Sequence, residues 1–271
     1  MQRCASRGRL SRPARTVISD RRREHRGPAD PFRPILGRAH DSSRDPELWG
    51  RTIDVSDPVS DDEPQPRPTT TIEVFAEVGC PFTHVGLRRL VEHRRAARRD
   101  DVRFHVRAWP LELVNGAPLD AAFIAEEVDE IRPQVAPDLF SGFSAAAFPA
   151  TSLPAMALES AAYEVGPVVG EKVSLDLRDR LFEQGDDIAE PSVLADIAAA
   201  HGISFDPDDL SAAQRDHTEG VERGVIGSPH FFTPSGSFFC PALDVSRNAE
   251  GHLVVTADPD GFDSFIAACF S

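Results

Sequence analysis

Between Thr71 and Trp109 the hydrophobic period changes from two to helical and back to two, which confines this stretch to a β-α-β unit. Ile72, Val74, Ala76 and Val78 alternate with Thr71, Glu73, Phe75 and Glu77, the pattern of a strand. Gly79 ends it. Pro81 suits a first helical position, where its missing N–H costs nothing. Leu87, Leu90 and Val91 then recur at helical spacing through an Arg-rich segment ending near Arg99. A second strand is expected from Val102 to Trp109, with Val102, Phe104, Val106 and Ala108 on one face.

From about Leu119 to Glu222 the pattern is helical. Its signals are Ser152 ahead of Pro154, the amphipathic run Val173 to Phe182, and Pro191 opening Val193 to Ala200 with Gly202 closing it. Asp208 is the expected cap of a last helix reaching Glu222. Strands return at the end: Phe231 and Phe232, a turn at Pro234-Ser235-Gly236, and Phe238-Phe239-Cys240 as the hairpin partner. Leu253 to Val255 reads as a short further strand. Phe262, Phe265, Ile266 and Phe270 mark a closing helix. No internal repeat of 20–50 residues is visible.

The first 68 residues differ in kind. They hold 14 Arg against 11 acids, few aliphatics and no sustained period, and read as a disordered tail and linker, with Arg21, Arg22, Arg23 and Arg26 clustered. The acidic excess of a chain with net charge −15 therefore sits in the body, which argues against nucleic acid as the main partner. No run approaches the ~20 apolar residues of a membrane span, and no apolar signal core follows the basic start. The expected compartment is the cytoplasm. Cys4, Cys80, Cys240 and Cys269 lie far apart with no C-x-x-C, so neither a local zinc knuckle nor a dithiol motif is written, and structural disulfides are not expected. The scattered histidines offer no metal site.

Chemistry concentrates at Cys80-Pro81-Phe82-Thr83, at the junction of strand and helix. A thiol there faces unpaired backbone N–H groups and the positive end of the helix dipole, both of which favour thiolate. Thr83 can turn its hydroxyl back to the sulfur. Cys80 is thus expected as a thiolate near neutral pH.

Together with Gly224-Val225-Ile226-Gly227-Ser228-Pro229-His230-Phe231-Phe232, this pattern resembles the DsbA branch of the thioredoxin superfamily, in its FrnE-like group, over about residues 71–270. More distantly it is similar to kappa-class glutathione transferases and 2-hydroxychromene-2-carboxylate isomerases. The resemblance implies an α/β thioredoxin fold with an inserted α-helical domain: residues 69–118 and 223–271 as the two halves, 119–222 as the insert. It implies that Pro229 is cis and lies against Cys80, leaving the backbone of Ser228 to pair with an incoming extended chain. Cys80, Thr83 and Pro229 become the catalytic candidates. Glu77, Pro81, Phe82, His84, Trp109 and Ser228 become the substrate-binding ones.

Dithiol members carry a second cysteine where this chain has Thr83. The implied activity is therefore monothiol thiol–disulfide exchange through Cys80, with no bound cofactor and with glutathione or mycothiol as the resolving co-substrate. The implied partners are that thiol and a disulfide or electrophilic small molecule, compatible with a homodimer; membrane and nucleic acid are not among them. The alternatives are a thiol-dependent transferase or isomerase, and a redox-inactive binding protein. Cys240 falls two strands from Cys80, roughly 10 Å, beyond disulfide reach; it and Cys269 read as core. Glu77 is either a proton shuttle for the sulfur or a solvated strand residue. His84 is either a charge partner for the thiolate or a surface histidine, and the same choice holds for His230. Trp109 is core or groove wall.

Overall fold

The computed structural model describes residues 68–249 and 253–271. The expected tail, with Cys4 and the Arg cluster, lies outside them apart from Pro68. Residues 68–271 cluster as one compact unit.

Strand β1 (Thr70–Ala76) pairs in parallel with β2 (Val102–Ala108), and helix α1 (Pro81–Ala96) makes the crossover. Strand β3 (His230–Thr233) adds antiparallel to the other side of β1, and β4 (Gly236–Phe239) closes the hairpin, for a sheet order β2-β1-β3-β4. β1 is therefore central, and both of its faces are covered. Ile72, Val74 and Ala76 pack with Leu87 and Leu90 of α1. On the opposite face Phe75 packs with Trp109 and Val225, under the guanidinium groups of Arg107 and Arg223 at 5.1 and 5.2 Å from its ring. The alternation in the sequence thus separates two buried faces, as a strand flanked on both sides requires.

Between β2 and β3 lie α2 (Leu111–Asn115), α3 (Ala121–Val135), α4 (Leu153–Val165), α5 (Pro167–Asp179), α6 (Pro191–His201) and α7 (Ser211–Glu222). The run through Phe182 is not one α-helix. α5 stops at Asp179 and a π-helical turn spans Arg180–Gln184 before Gly185 (φ +75) ends it. α7 starts at Ser211 with Leu210 as N-cap, so Asp208 does not cap it; Asp209 accepts the Ser211 N–H instead. Strands β5 (Leu243–Arg247) and β6 (Leu253–Ala257) form a separate antiparallel pair, of which only β6 was expected. Helix α8 (Pro259–Phe270) closes the fold, capped by Asp258.

The open edge of β2 is sealed by side chains. Phe104 N–H donates to Glu171 Oε2 (3.0 Å), Val106 N–H to the Tyr163 hydroxyl (2.9 Å) and Ala108 N–H to Asp216 Oδ2 (3.0 Å). Tyr163 returns its own proton to Phe104 O (3.1 Å).

Candidate active site

α1 begins where it does because Pro81 occupies the first helical position and Cys80, in extended conformation (φ −85, ψ 116), is the N-cap. His84 N–H makes the first helical bond to Cys80 O (3.2 Å). Cys80 has only 5% of its surface exposed. Opposite it stands the loop from Gly224 (φ +74) to Pro229, and the Ser228–Pro229 peptide bond is cis. The thiol donates to Ser228 O at 3.4 Å. Ser228 Oγ accepts the Glu77 N–H (2.9 Å) and lies 2.9 Å from Thr83 Oγ1. A backbone N–H can only donate, so the Ser228 hydroxyl keeps its own proton for Thr83 or the sulfur.

The electrostatics correct the expected thiolate. Burial pushes the Cys80 thiol up from its ordinary value, the nearby Glu127 carboxyl pushes the same way, and hydrogen bonds from Ser228 and Thr83 pull it down. Desolvation of the charged form outweighs the helix terminus here, so Cys80 rests as a thiol.

Glu127 had no place in the sequence reading. It lies on α3 among Ile124, Val128 and Ile131, which share a core cluster with Cys80 and Phe82. Only 6% exposed, its carboxyl is pushed up to about 8 by burial, against Arg247 and with Glu126. A signal existed: 124, 127, 128 and 131 form one helical face, and Glu127 is the only acid on it.

Glu77 is neither solvated nor on a strand, because β1 ends at Ala76. It is fully buried, and its carboxylate accepts from Gly79 N (3.1 Å), Leu111 N (2.9 Å) and Ser152. Burial raises its pKa against those bonds. It therefore ties the turn before Cys80 to the start of α2, and its carboxylate bonds go to these groups rather than to the sulfur.

His84 is also turned to other work. It is 1% exposed, bonded through Nε2 to Glu183 Oε1 (2.8 Å), with ring centroids 5.4 and 5.0 Å from Phe140 and Phe182. Burial lowers its pKa against the pull of Glu183, so it brings no cationic charge to the thiol at neutral pH. Glu183, on the π turn, also accepts from Phe140 N and Ser141 N and is held down at about 2 despite its own desolvation. Trp109, 4% exposed, sits in the cluster of Phe75 and Val225, apart from the one that holds Cys80, and Gly220 lies so close that an added Cβ would fall 2.6 Å from its ring. It is a core residue. Pro81 and Phe82 are buried. Phe82 and Pro229 line a small apolar cavity with Gly86, Phe231 and Cys240. Cys240 N–H donates to Pro229 O (3.1 Å), and Cys269 lies on the buried face of α8. Cys80, Cys240 and Cys269 form no disulfide. Among the described residues no group of three His, Cys, Asp or Glu side chains could hold a metal ion, and no helix is long and apolar enough to cross a membrane.

The order β2-β1-β3-β4, with a cysteine at the N-terminus of the crossover helix facing a cis-proline loop, defines a thioredoxin-like protein, and the helices between β2 and β3 make it α/β with a helical insertion. Residues 71–250 match the family model of the DSBA-like thioredoxin domain, and the chain belongs to that family. Among solved structures, a 2-hydroxychromene-2-carboxylate isomerase is similar at 12% identity over 62% of this chain and 88% of its own, with a TM-score of 0.45. The cytosolic disulfide reductase DsbM from Pseudomonas aeruginosa is similar at 13% identity over 73% and 97%, also with a TM-score of 0.45. No curated protein matches the chain.

Proposed function

We propose that this chain is a thiol–disulfide oxidoreductase that works through one thiol, Cys80. The observation that supports this most is the position of its sulfur: at the N-terminus of α1, 3.4 Å from Ser228 O, with the Thr83 hydroxyl where a dithiol enzyme has its second sulfur. As thiolate, Cys80 attacks one sulfur of R–S–S–R′. The new S–S bond forms as the old one breaks, and R′–S⁻ leaves to be protonated. With no second cysteine in the helix, a small thiol R″–SH attacks the mixed disulfide, frees Cys80 and carries away R–S–S–R″. Glutathione and mycothiol both suit this role.

The test is intact-mass analysis after treatment with a small-molecule disulfide. One thiol adduct at Cys80, absent in Cys80→Ser and removed by added thiol with turnover, supports the proposal. One observation favours a second reading: Cys80 rests protonated, donating to Ser228 O, which suits a transferase or isomerase that binds a small thiol without exchanging with it. Saturable thiol binding with no adduct would select that reading, and no response at all would leave a binding protein.

A further inference from the structure

The loop that covers Cys80 is tied at its two ends, at Ser228 and at Ile226. Val225 N–H bonds Gly220 O at its start, and Pro229 O accepts Cys240 N–H at its end. Between them Ile226 is 69% exposed, and its N–H donates to Nδ1 of His230 at 3.3 Å. His230 is the first residue of β3, paired to Phe75 on one side and Phe239 on the other. Its imidazole is stacked on Phe232 (centroids 4.9 Å apart, planes 7° apart), lies 6.2 Å from the Phe239 ring, and is only 6% exposed as a residue. Gly227 rests on Phe239 so closely that an added Cβ would fall 2.6 Å from that ring. The loop is thus seated on the Phe239 ring, held at Ser228 by Glu77 N–H, Thr83 and the Cys80 thiol, and fastened at Ile226 by one imidazole nitrogen.

We propose that His230 is a positioning residue: its neutral Nδ1 latches Ile226 and so adds to the Ser228 bonds that keep the Ser228–Pro229 segment over the Cys80 sulfur, and protonation of His230 releases the latch. Nδ1 accepts only while it carries no proton, so the resting tautomer holds its proton on Nε2. The charged group facing His230 is Arg223, which stacks 3.9 Å over Phe232; the strand neighbours Phe75 and Phe239 bring no charge. Burial and Arg223 both disfavour the imidazolium. The latch is therefore closed at neutral pH and opens as the pH falls below the ordinary histidine range of about 6.5. The inference rests on the reading of Cys80 as the reacting thiol, but its test does not need turnover.

The probe is 4,4′-dithiodipyridine, which reacts with thiols in acid as well as in base, with the Cys80 adduct followed by mass. His230→Phe keeps the ring on Phe232 and loses the acceptor, whereas His230→Asn offers an amide oxygen in place of Nδ1 and cannot titrate. If the probe reaches a 5% exposed sulfur only when the loop opens, His230→Phe should react roughly fivefold faster than wild type at pH 8, the equivalent of one net hydrogen bond of about 1 kcal/mol. That ratio should fall to one in acid, where wild type also loses the bond. His230→Asn should match wild type at pH 8 and become the slower of the two in acid. A ratio independent of pH, or no acceleration in His230→Phe, overturns the proposal. Imidazole nitrogen shifts of the wild type give a check that needs no variant: Nε2–H with an Ile226 amide that moves at the His230 midpoint supports it, and Nδ1–H overturns it. A protein that shows the latch but no thiol turnover would fail as an oxidoreductase while keeping this device.

Discussion

Replacing Thr83 by Val tests whether the hydroxyls around Cys80 hold its thiolate. The side chains are nearly the same shape, and Thr83 is fully buried, so the change removes one hydroxyl and little else. That hydroxyl lies 2.9 Å from Ser228 Oγ, beside the Cys80 sulfur, and pulls the pKa of the thiol down. A hydrogen bond to a charged partner is worth roughly 1.5–3 kcal/mol. Burial and Glu127 already push the thiol up, and losing the bond pushes it further the same way. Below its titration the thiolate fraction, and with it the rate of iodoacetamide alkylation, should drop at least about tenfold, since 1.4 kcal/mol is a factor of ten. The alkylation rate is followed against pH by intact mass with peptide mapping, and Cys80→Ser identifies the signal. Thr83→Ser keeps the hydroxyl and should stay close to wild type. A Thr83→Val profile that overlays wild type, or moves to lower pH, refutes the hydroxyl account.

Glu127→Gln should speed Cys80 alkylation mainly above pH 8, because the carboxyl is charged only above about 8 and then opposes the thiolate; equal rates there would remove Glu127 from the site. Tyr163→Phe deprives Val106 N–H and Phe104 O of their partner and should cost about 2 kcal/mol in urea unfolding at unchanged slope, as unsatisfied buried groups do; a loss below about 0.5 kcal/mol would contradict the sealed edge. Glu183, held at about 2 when folded against 4.5 unfolded, stabilises the fold above the higher value, and this contribution is lost as pH falls through the lower; Glu183→Gln should flatten that acid decline. Thr83→Cys should convert the single-adduct behaviour into an internal disulfide two hydrogens lighter, and persistence of the adduct would place residue 83 out of reach of Cys80.

The β-α-β opening and the closing hairpin were legible because each rests on local signals: a period of two, Pro81 at a helix start, a Pro-Ser-Gly turn. Cys80, Thr83, Ser228 and Pro229 were legible as residue types in a spacing, and the structure brings them together. What was not legible depends on distant partners. Glu77 is buried because Leu111 N–H and Ser152 close over it, and His84 is taken up by Glu183 from a π turn that an apolar run to Phe182 conceals, while burial keeps the imidazole neutral against that carboxylate. The same burial reverses the expected acidity of Cys80, since desolvation is a property of the surroundings and not of the helix start. β5 escaped notice because Asp244 and Ser246 alternate with only Leu243 and Val245 over five residues.

The sealed edge of β2 bears on how this molecule could be cut. The acceptors for its three outward N–H groups come from α4, α5 and α7, all encoded between β2 and β3. A thioredoxin core excised from those helices would expose a bare strand edge to any extended chain nearby, the common route to edge-to-edge aggregation. The helices are thus a built-in chaperone for the sheet. Engineering that shortens them has to leave Tyr163, Glu171 and Asp216 in place or supply three acceptors from elsewhere.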